Sequence, residues 1–290
     1  MESILQTKDV VIDVHGKEVA FENFEIKGGD FVLLKGRNGY GKSSFLKMLV
    51  GRDVAVRILR GDIFFPRLQP NKGMAHYNES EKARLRNAIA YVPQDDEFLP
   101  TSSIFSAIYS GLKQSIAFNP TLSGKQKVEK RKEAKALVEA YLKKFNDVGL
   151  FDEGSRRSIF KNPKLRSIYS CSGGQRKMCQ IVGAIIQAKV LGSRLILMDE
   201  PLNNLDKNNK KILNNEIADL LKLPTPPAIM MVTHCHIFFG VNKEITIQDG
   251  KDGRIATFLS SGDNLFSSCL VEGNEKEGYY EIETAPSKEN

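Results

Sequence analysis

No apolar run in the 290 residues approaches the ~20 that a helix needs to cross a bilayer. The N-terminus, MESILQTKDV, lacks the basic and apolar regions of a secretory signal, so a cytosolic location is the expectation. Cysteine is sparse: Cys171, Cys179, Cys235 and Cys269 form no CxxC pair and no finger-like metal spacing. Reduced thiols are therefore the default, rather than a disulfide framework or a zinc site. There is no internal repeat. Charge of one sign does not dominate either, because 42 Lys and Arg face 35 Asp and Glu, a formal net charge of +7. That modest excess is weak support for a nucleic-acid or anionic-membrane partner. What is left is an ordinary globular composition, long enough for one domain with an inserted or appended subdomain.

The informative text begins at residues 31–49, FVLLKGRNGYGKSSFLKML. Phe31, Val32, Leu33 and Leu34 form a short apolar run, and Phe45, Leu46 and Leu49 follow at helical spacing, so the stretch reads strand, loop, helix. The loop has the pattern G-x-x-x-x-G-K-S, with Gly36, Gly41, Lys42 and Ser43 at its fixed positions and Asn38 and Gly39 between them. Glycines there let successive amide N–H groups point into one concavity at a helix N-terminus, an arrangement that holds polyphosphate. Lys42 is placed to reach phosphate oxygens as a point charge, and the Ser43 hydroxyl to ligate Mg²⁺.

Around that stretch the chain alternates as an antiparallel hairpin from Val10 to Ile26, turning at His15-Gly16-Lys17. GDIFF (61–65) reads as a strand, 66–78 as a loop, and SEKARLRNAIAYVPQ as a capped helix running into a strand that ends at Tyr91-Val92, with Gln94 just beyond it. Residues 102–112 are amphipathic, with Ile104, Phe105 and Ile108 on one face. A lysine-rich helix over 125–144 carries an apolar stripe of Leu137, Val138, Tyr141, Leu142 and Phe145. Its Glu129 and Glu133 fit i,i+4 pairing on a solvated face better than a nucleic-acid patch. The tail from Glu272 is acidic, lacks a clear period and reads as a peripheral appendage with some order around Tyr279-Tyr280.

A second informative stretch runs from Tyr169 to Asp206. Ser172, Gly173, Gly174 and Gln175 stand just before a helical pattern and offer another amide-lined N-terminus. LILMDE (195–200) is an apolar strand ending in Asp199 and Glu200, which alternation places on different sides of the strand end. A further apolar strand, Ile229 to Val232, ends at His234, and two short strands turn about Asp249-Gly250.

In order, GRNGYGKS, YVPQ, CSGGQ, LILMDEP, NNLD and a strand-end histidine resemble the ATP-binding cassette (ABC) ATPases over about Val10 to Phe258. The resemblance implies an α/β fold: a P-loop NTPase core with a mostly parallel sheet, an antiparallel β subdomain and an inserted helical signature subdomain. The ATP-binding domain would span 1–260, its helical part about 100–175, with 261–290 as the acidic appendage. It implies ATP and Mg²⁺ as ligands. Residues 36–44 match the phosphate loop, with Ser44 adding a phosphate contact. Gln94 matches the glutamine that touches Mg²⁺ or the attacking water, and Asp199 the aspartate that supports Mg²⁺. Glu200 matches the carboxylate that polarises the water, and His234 the switch histidine near the γ-phosphate. Lys42, Gln94, Glu200 and His234 are thereby the catalytic set. Ser172, Gly173, Gly174 and Gln175 match the signature loop, which meets the nucleotide held by a second cassette, so a homo- or heterodimer is implied.

Departures from the family text are Cys171 for leucine, Arg37 for proline, Tyr40 for serine at permissive loop positions, and NNLD for SALD-like text. No TEVG-like segment precedes the signature, and FLPTSSIFSAIYSGL (98–112) more nearly resembles stand-alone cassettes that dock on a separate permease. Base recognition is open, since Val14 or His15 falls where an aromatic ring would stack. The leading expectation is an ATP-hydrolysing subunit that closes on ATP and drives an integral-membrane permease from the cytoplasmic face. The competing one is a soluble ATPase acting on nucleic acid or a macromolecular complex. A single cassette without a long coiled coil counts against nucleic acid as a partner.

Overall fold

The computed structural model describes residues 1–52, 56–95, 98–99, 102–147, 166–233, 236–238, 241–251, 253–260, 270–272 and 279–283. The chain opens with β1 (Ser3–Val14), β2 (Lys17–Phe21) and β3 (Glu25–Lys27), and β4 (Phe31–Gly36) leads through the glycine loop into α1 (Lys42–Leu49). β5 (Val56–Phe64), α2 (Glu79–Ala88) and β6 (Ile89–Val92) follow, then three helices, α3 (Ile104–Ala117), α4 (Gly124–Asp147) and α5 (Gly173–Leu191). β7 (Leu195–Asp199), α6 (Lys207–Leu221), β8 (Ala228–Val232) and β9 (His236–Phe238) precede a long hairpin, β10 (Lys243–Gly250) and β11 (Gly253–Ser260). The tail supplies β12 (Leu270–Glu272) and β13 (Tyr279–Glu283).

The main sheet has the order β3-β1-β2-β11-β10-β4-β8-β7-β6, with β5 pairing β1 outside that path. β10, β4, β8, β7 and β6 run parallel, and β1 is antiparallel to β2, β3 and β5. The expected parallel core with an antiparallel β part is therefore the observed fold. Why β4, β7 and β8 read as unbroken apolar runs is visible in how their residues divide. Phe31 and Leu33, Ile196 and Met198, Ile229 and Met231 face the core beneath α3 to α6. Val32 and Leu34, Leu195 and Leu197, Met230 and Val232 face the core shared with α1 and β1. Strands covered on both faces have no side to leave polar.

Local sequence sets the element ends. Asn78 and Glu81 form a reciprocal capping box at α2, and Ser172 and Gln175 form another at α5. The β1–β2 turn has His15 at φ 54 and Gly16 at φ 79, the left-handed pair that a tight hairpin needs. Of the α4 stripe, Val138, Tyr141, Leu142 and Phe145 are buried. On its polar face Lys130 pairs with Glu133 at 2.8 Å, an i,i+3 contact rather than the expected i,i+4. Asp249 and Gly250, expected as the turn between two short strands, are instead the last two residues of β10, paired with Arg254 and Gly253, in a hairpin whose strands have eight residues each. The acidic tail is paired where it is described: β12 and β13 join β9 in a separate three-stranded sheet. No helix among the described residues is long and apolar enough to cross a membrane.

Candidate nucleotide site

Sheet register gathers the motifs at one edge. Leu34 of β4 and Asp199 of β7 both lie level with Val232 of β8, and Val92 of β6 lies level with Met198. The chain thus leaves β4, β6 and β7 at one carboxyl edge, where doubly wound sheets bind ligands. A cavity of about 470 Å³ opens there. It is lined by Asn38, Gly39, Gly41, Lys42, Ser43 and Ser44 of the glycine loop and α1, by Gln94 and Glu200, and by Val14 and His15 at the β1–β2 turn. Gly41, the cap residue just before α1, has φ 91, and a Cβ on it would sit 2.9 Å from Val14 Cγ1. Glycine there lets the loop tuck under the turn.

Lys42 is 6% exposed. Its ammonium donates to the carbonyls of Gly36 at 2.7 Å and Arg37 at 3.0 Å, closing the loop on itself. Burial pulls its pKa down, and the charges of Glu200 and Asp199 oppose that pull. Asp199 is wholly buried and accepts from the Ser43 hydroxyl through Oδ1 at 2.9 Å. Desolvation raises its pKa; the Ser43 bond lowers it, and Glu200 raises it further. Its second oxygen, Oδ2, is buried with no hydrogen-bond partner. A buried, unpartnered carboxylate oxygen beside a hydroxyl fits a hard cation that takes oxygen ligands, and Mg²⁺ is held by one or two carboxylates plus phosphate oxygens.

Glu200 lies beyond the end of β7. Its φ of 46 turns the chain out of the strand, its N–H donates to the Val232 carbonyl at 3.1 Å, and its side chain is partly exposed in the cavity. A left-handed residue, more than simple alternation, separates the two acids. Gln94 is exposed at the exit of β6 and lines the same cavity. His234 lies outside the described residues.

Ser172, Gly173, Gly174 and Gln175 do not line this cavity. They begin α5, where the Gln175 N–H donates to Ser172 Oγ and the Ser172 N–H to Gln175 Oε1. Gly174 packs so tightly on the segment after β7 that a Cβ would lie 2.4 Å from the Asn204 carbonyl. The Gln175 side chain is buried in its cap, whereas Ser172 is exposed. Asp206 caps α6 by accepting from the Asn209 N–H at 2.7 Å.

Contacts made by Asn203, by Tyr40 with Arg254, and by Lys177 were not expected from the sequence. Asn203 Nδ2 donates to Glu200 Oε2 at 2.5 Å. Tyr40 is less free than a permissive position suggests: its hydroxyl donates to Asp249 Oδ2 at 2.6 Å and the Arg254 guanidinium stacks 4.2 Å above its ring. Arg254 also donates to the Gly39 carbonyl at 2.9 Å, so the β10–β11 hairpin props the glycine loop. Lys177 binds the Gln94 loop from α5. Asn203 is the first residue of the recognised NNLD text, although its contact with Glu200 was not foreseen; the contacts of Tyr40, Arg254 and Lys177 join distant segments and leave no local pattern.

Residues 22–203 match the family model described as ABC transporter. The chain belongs to that family. ATP hydrolysis is the family's characteristic activity, and this cassette is an ABC-type ATPase. It is 30% identical over 238 residues to the ergothioneine transport ATP-binding protein EgtV of Helicobacter pylori, covering 81% of this chain and 91% of EgtV. Among solved structures, the cassette MJ0796 in a dimeric post-hydrolysis state with ADP and Pi superposes with a TM-score of 0.60 at 18% identity, covering 89% of this chain and 99% of MJ0796. CbiO1 of Clostridium perfringens, part of the complex cbiONQ, gives 0.63 at 20% identity, covering 92% of each chain. At those identities the superpositions speak for the shared fold.

Proposed function

We propose that two copies of this cassette, or this one and a related one, close on ATP and Mg²⁺ and so drive a separate integral-membrane permease, at whose cytoplasmic face the cassette works. The cassette domain is assigned to residues 1–260, with a helical part at about 100–175 and the acidic 261–290 segment appended. The observation that carries this reading is the single cavity shared by the Lys42 loop, Gln94 and Glu200, beside the Ser43–Asp199 pair.

Within that site the loop amides and Lys42 bind the triphosphate, and the ammonium exchanges its carbonyl partners for phosphate oxygens. Ser43, Asp199 and Gln94 would hold Mg²⁺, which would supply charge neutralisation at the phosphate oxygens. Glu200, steadied by Asn203, orients the attacking water and accepts its proton. His234 is assigned to the γ-phosphate only by its match to the family's switch histidine. Ser172, Gly173 and Gly174, which stand apart from the cavity of their own chain, meet the nucleotide held by the other subunit. EgtV is named for ergothioneine transport and CbiO1 for a transporter complex, which supports a transport role here. ATP can move a permease only through its different affinities for the closed and open dimers.

The test is co-purification from native membranes followed by reconstitution. A polytopic membrane protein should come along, and in liposomes with it the cassette's ATPase should rise and respond to one substrate. ATPase activity indifferent to any membrane subunit, but stimulated by nucleic acid at low salt, would overturn the reading in favour of a soluble role.

A further inference from the structure

α5 does more than present Ser172 and Gly174 at its tip. Lys177, on the same helix and 2% exposed, sends its ammonium across to the loop leaving β6. There it donates to the carbonyls of Pro93 at 2.8 Å and Gln94 at 2.7 Å. Almost one turn further on, Gln180 Nε2 donates to the Asp95 carbonyl at 2.9 Å. Three successive carbonyls are therefore gripped by one face of one helix. An ammonium is costly to bury unless its protons find acceptors, and charge-assisted bonds to carbonyls are among the stronger ones a loop can make. With its backbone held in this way, Gln94 has a fixed point from which its exposed side chain enters the cavity of Lys42, Ser43 and Glu200.

We propose that Lys177 is a positioning residue for ATP hydrolysis: it locks the backbone of Pro93 and Gln94 to the helix that begins at Ser172, tying the glutamine of a subunit's own site to the loop that faces the nucleotide of the other subunit. The proposal rests on the reading that Gln94 acts in the site and that α5 faces the second nucleotide. Its consequence is mechanical. Any displacement of the α5 tip moves Gln94 with it, so occupancy of one site is transmitted to the other through about one helical turn of rigid structure. Gln180 adds a second, more exposed tie to the same loop.

The experiment compares wild type, Lys177→Met, Gln94→Ala and the double variant in steady-state ATPase assays. Methionine keeps the length and packing of the stem but donates nothing. Lys177→Met is expected to lower kcat by about 10-fold and to bring the Hill coefficient for ATP towards 1, with KM changed less than about 2-fold. In the double variant the loss should not exceed that of Gln94→Ala, because a group acting through Gln94 has no effect once Gln94 is gone. Additive losses, or unchanged kcat and cooperativity in Lys177→Met, would overturn the proposal. If Gln94→Ala itself leaves kcat unchanged, the reading of Gln94 fails instead, so the two failures are distinguishable. Should Lys177→Met not fold, Gln180→Ala takes its place. A smaller kcat loss, absent in the Gln94→Ala background, is expected, and wild-type kinetics or additivity would overturn the proposal.

Discussion

Ser43 and Asp199, 156 residues apart in sequence, meet at 2.9 Å where α1 begins and β7 ends. The contact leaves Asp199 Oδ2 buried and without a hydrogen-bond partner. Asp199→Asn should abolish magnesium-dependent turnover, yet melt higher than wild type without magnesium, because a buried charge is costlier than a buried amide. A gain of about 1 kcal/mol corresponds to ~2–4 °C for a chain of this class. ATPase assays with Mg²⁺ check the first half, and melting curves without Mg²⁺ the second. A lower melting temperature in the apo variant would contradict the burial argument.

Glu200→Gln keeps the shape of the side chain and can still accept from Asn203, but it cannot take a proton from water. ATP binding should survive, phosphate release should fall by about 10²-fold or more, and an ATP-bound dimer should accumulate on a sizing column. Turnover like that of wild type would remove Glu200 from its assigned role.

Gly174 has no room for a side chain, since a Cβ would lie 2.4 Å from the Asn204 carbonyl. Gly174→Ala is expected to cost about 1–3 kcal/mol of stability and to displace the segment that carries Asn203, slowing hydrolysis as well. Denaturant unfolding and ATPase rates measure the two effects. An alanine variant with unchanged stability would show that the segment after β7 yields easily.

Glu216, 2% exposed on α6, accepts from the Tyr141 hydroxyl at 2.8 Å and is paired with Lys144, while Lys189 of α5 donates to that same hydroxyl at 2.7 Å. The network ties α4, α5 and α6 together. Burial, followed by the charge of Glu216, raises the tyrosine pKa strongly, so the phenol stays protonated and donates. Tyr141→Phe leaves Glu216 and Lys189 each short of a partner and should cost about 1–3 kcal/mol. Equilibrium unfolding decides; a neutral result would mean that water replaces the hydroxyl at no loss.

The sheet was legible because β4, β7 and β8 are covered on both faces, which writes an unbroken apolar run into the sequence. The glycine loop and the Ser172 cap were legible for a related reason, since each needs particular residue types at fixed spacing. What escaped notice depends on long-range geometry. Nothing near Glu200 announces its left-handed backbone, and Lys177 reads as one more helix lysine until the fold carries Pro93 and Gln94 to it. The order expected around Tyr279-Tyr280 is β13, but its partners could not be read from a tail without period, because β13 is held by pairing with β9 on one side and β12 on the other.

The most direct measurement mixes two inactive variants. Lys42→Met disables the phosphate loop, and Ser172→Asp keeps a good helix cap while placing a negative charge against the triphosphate of the other subunit. Equal mixing makes half of the dimers mixed, each with one site built from an intact Lys42 loop and an intact Ser172, so ATPase should return, to at most about a quarter of the wild-type rate. No recovery on mixing, with both variants folded and able to pair, would mean that Lys42 and Ser172 serve the same subunit's nucleotide and would contradict the shared site.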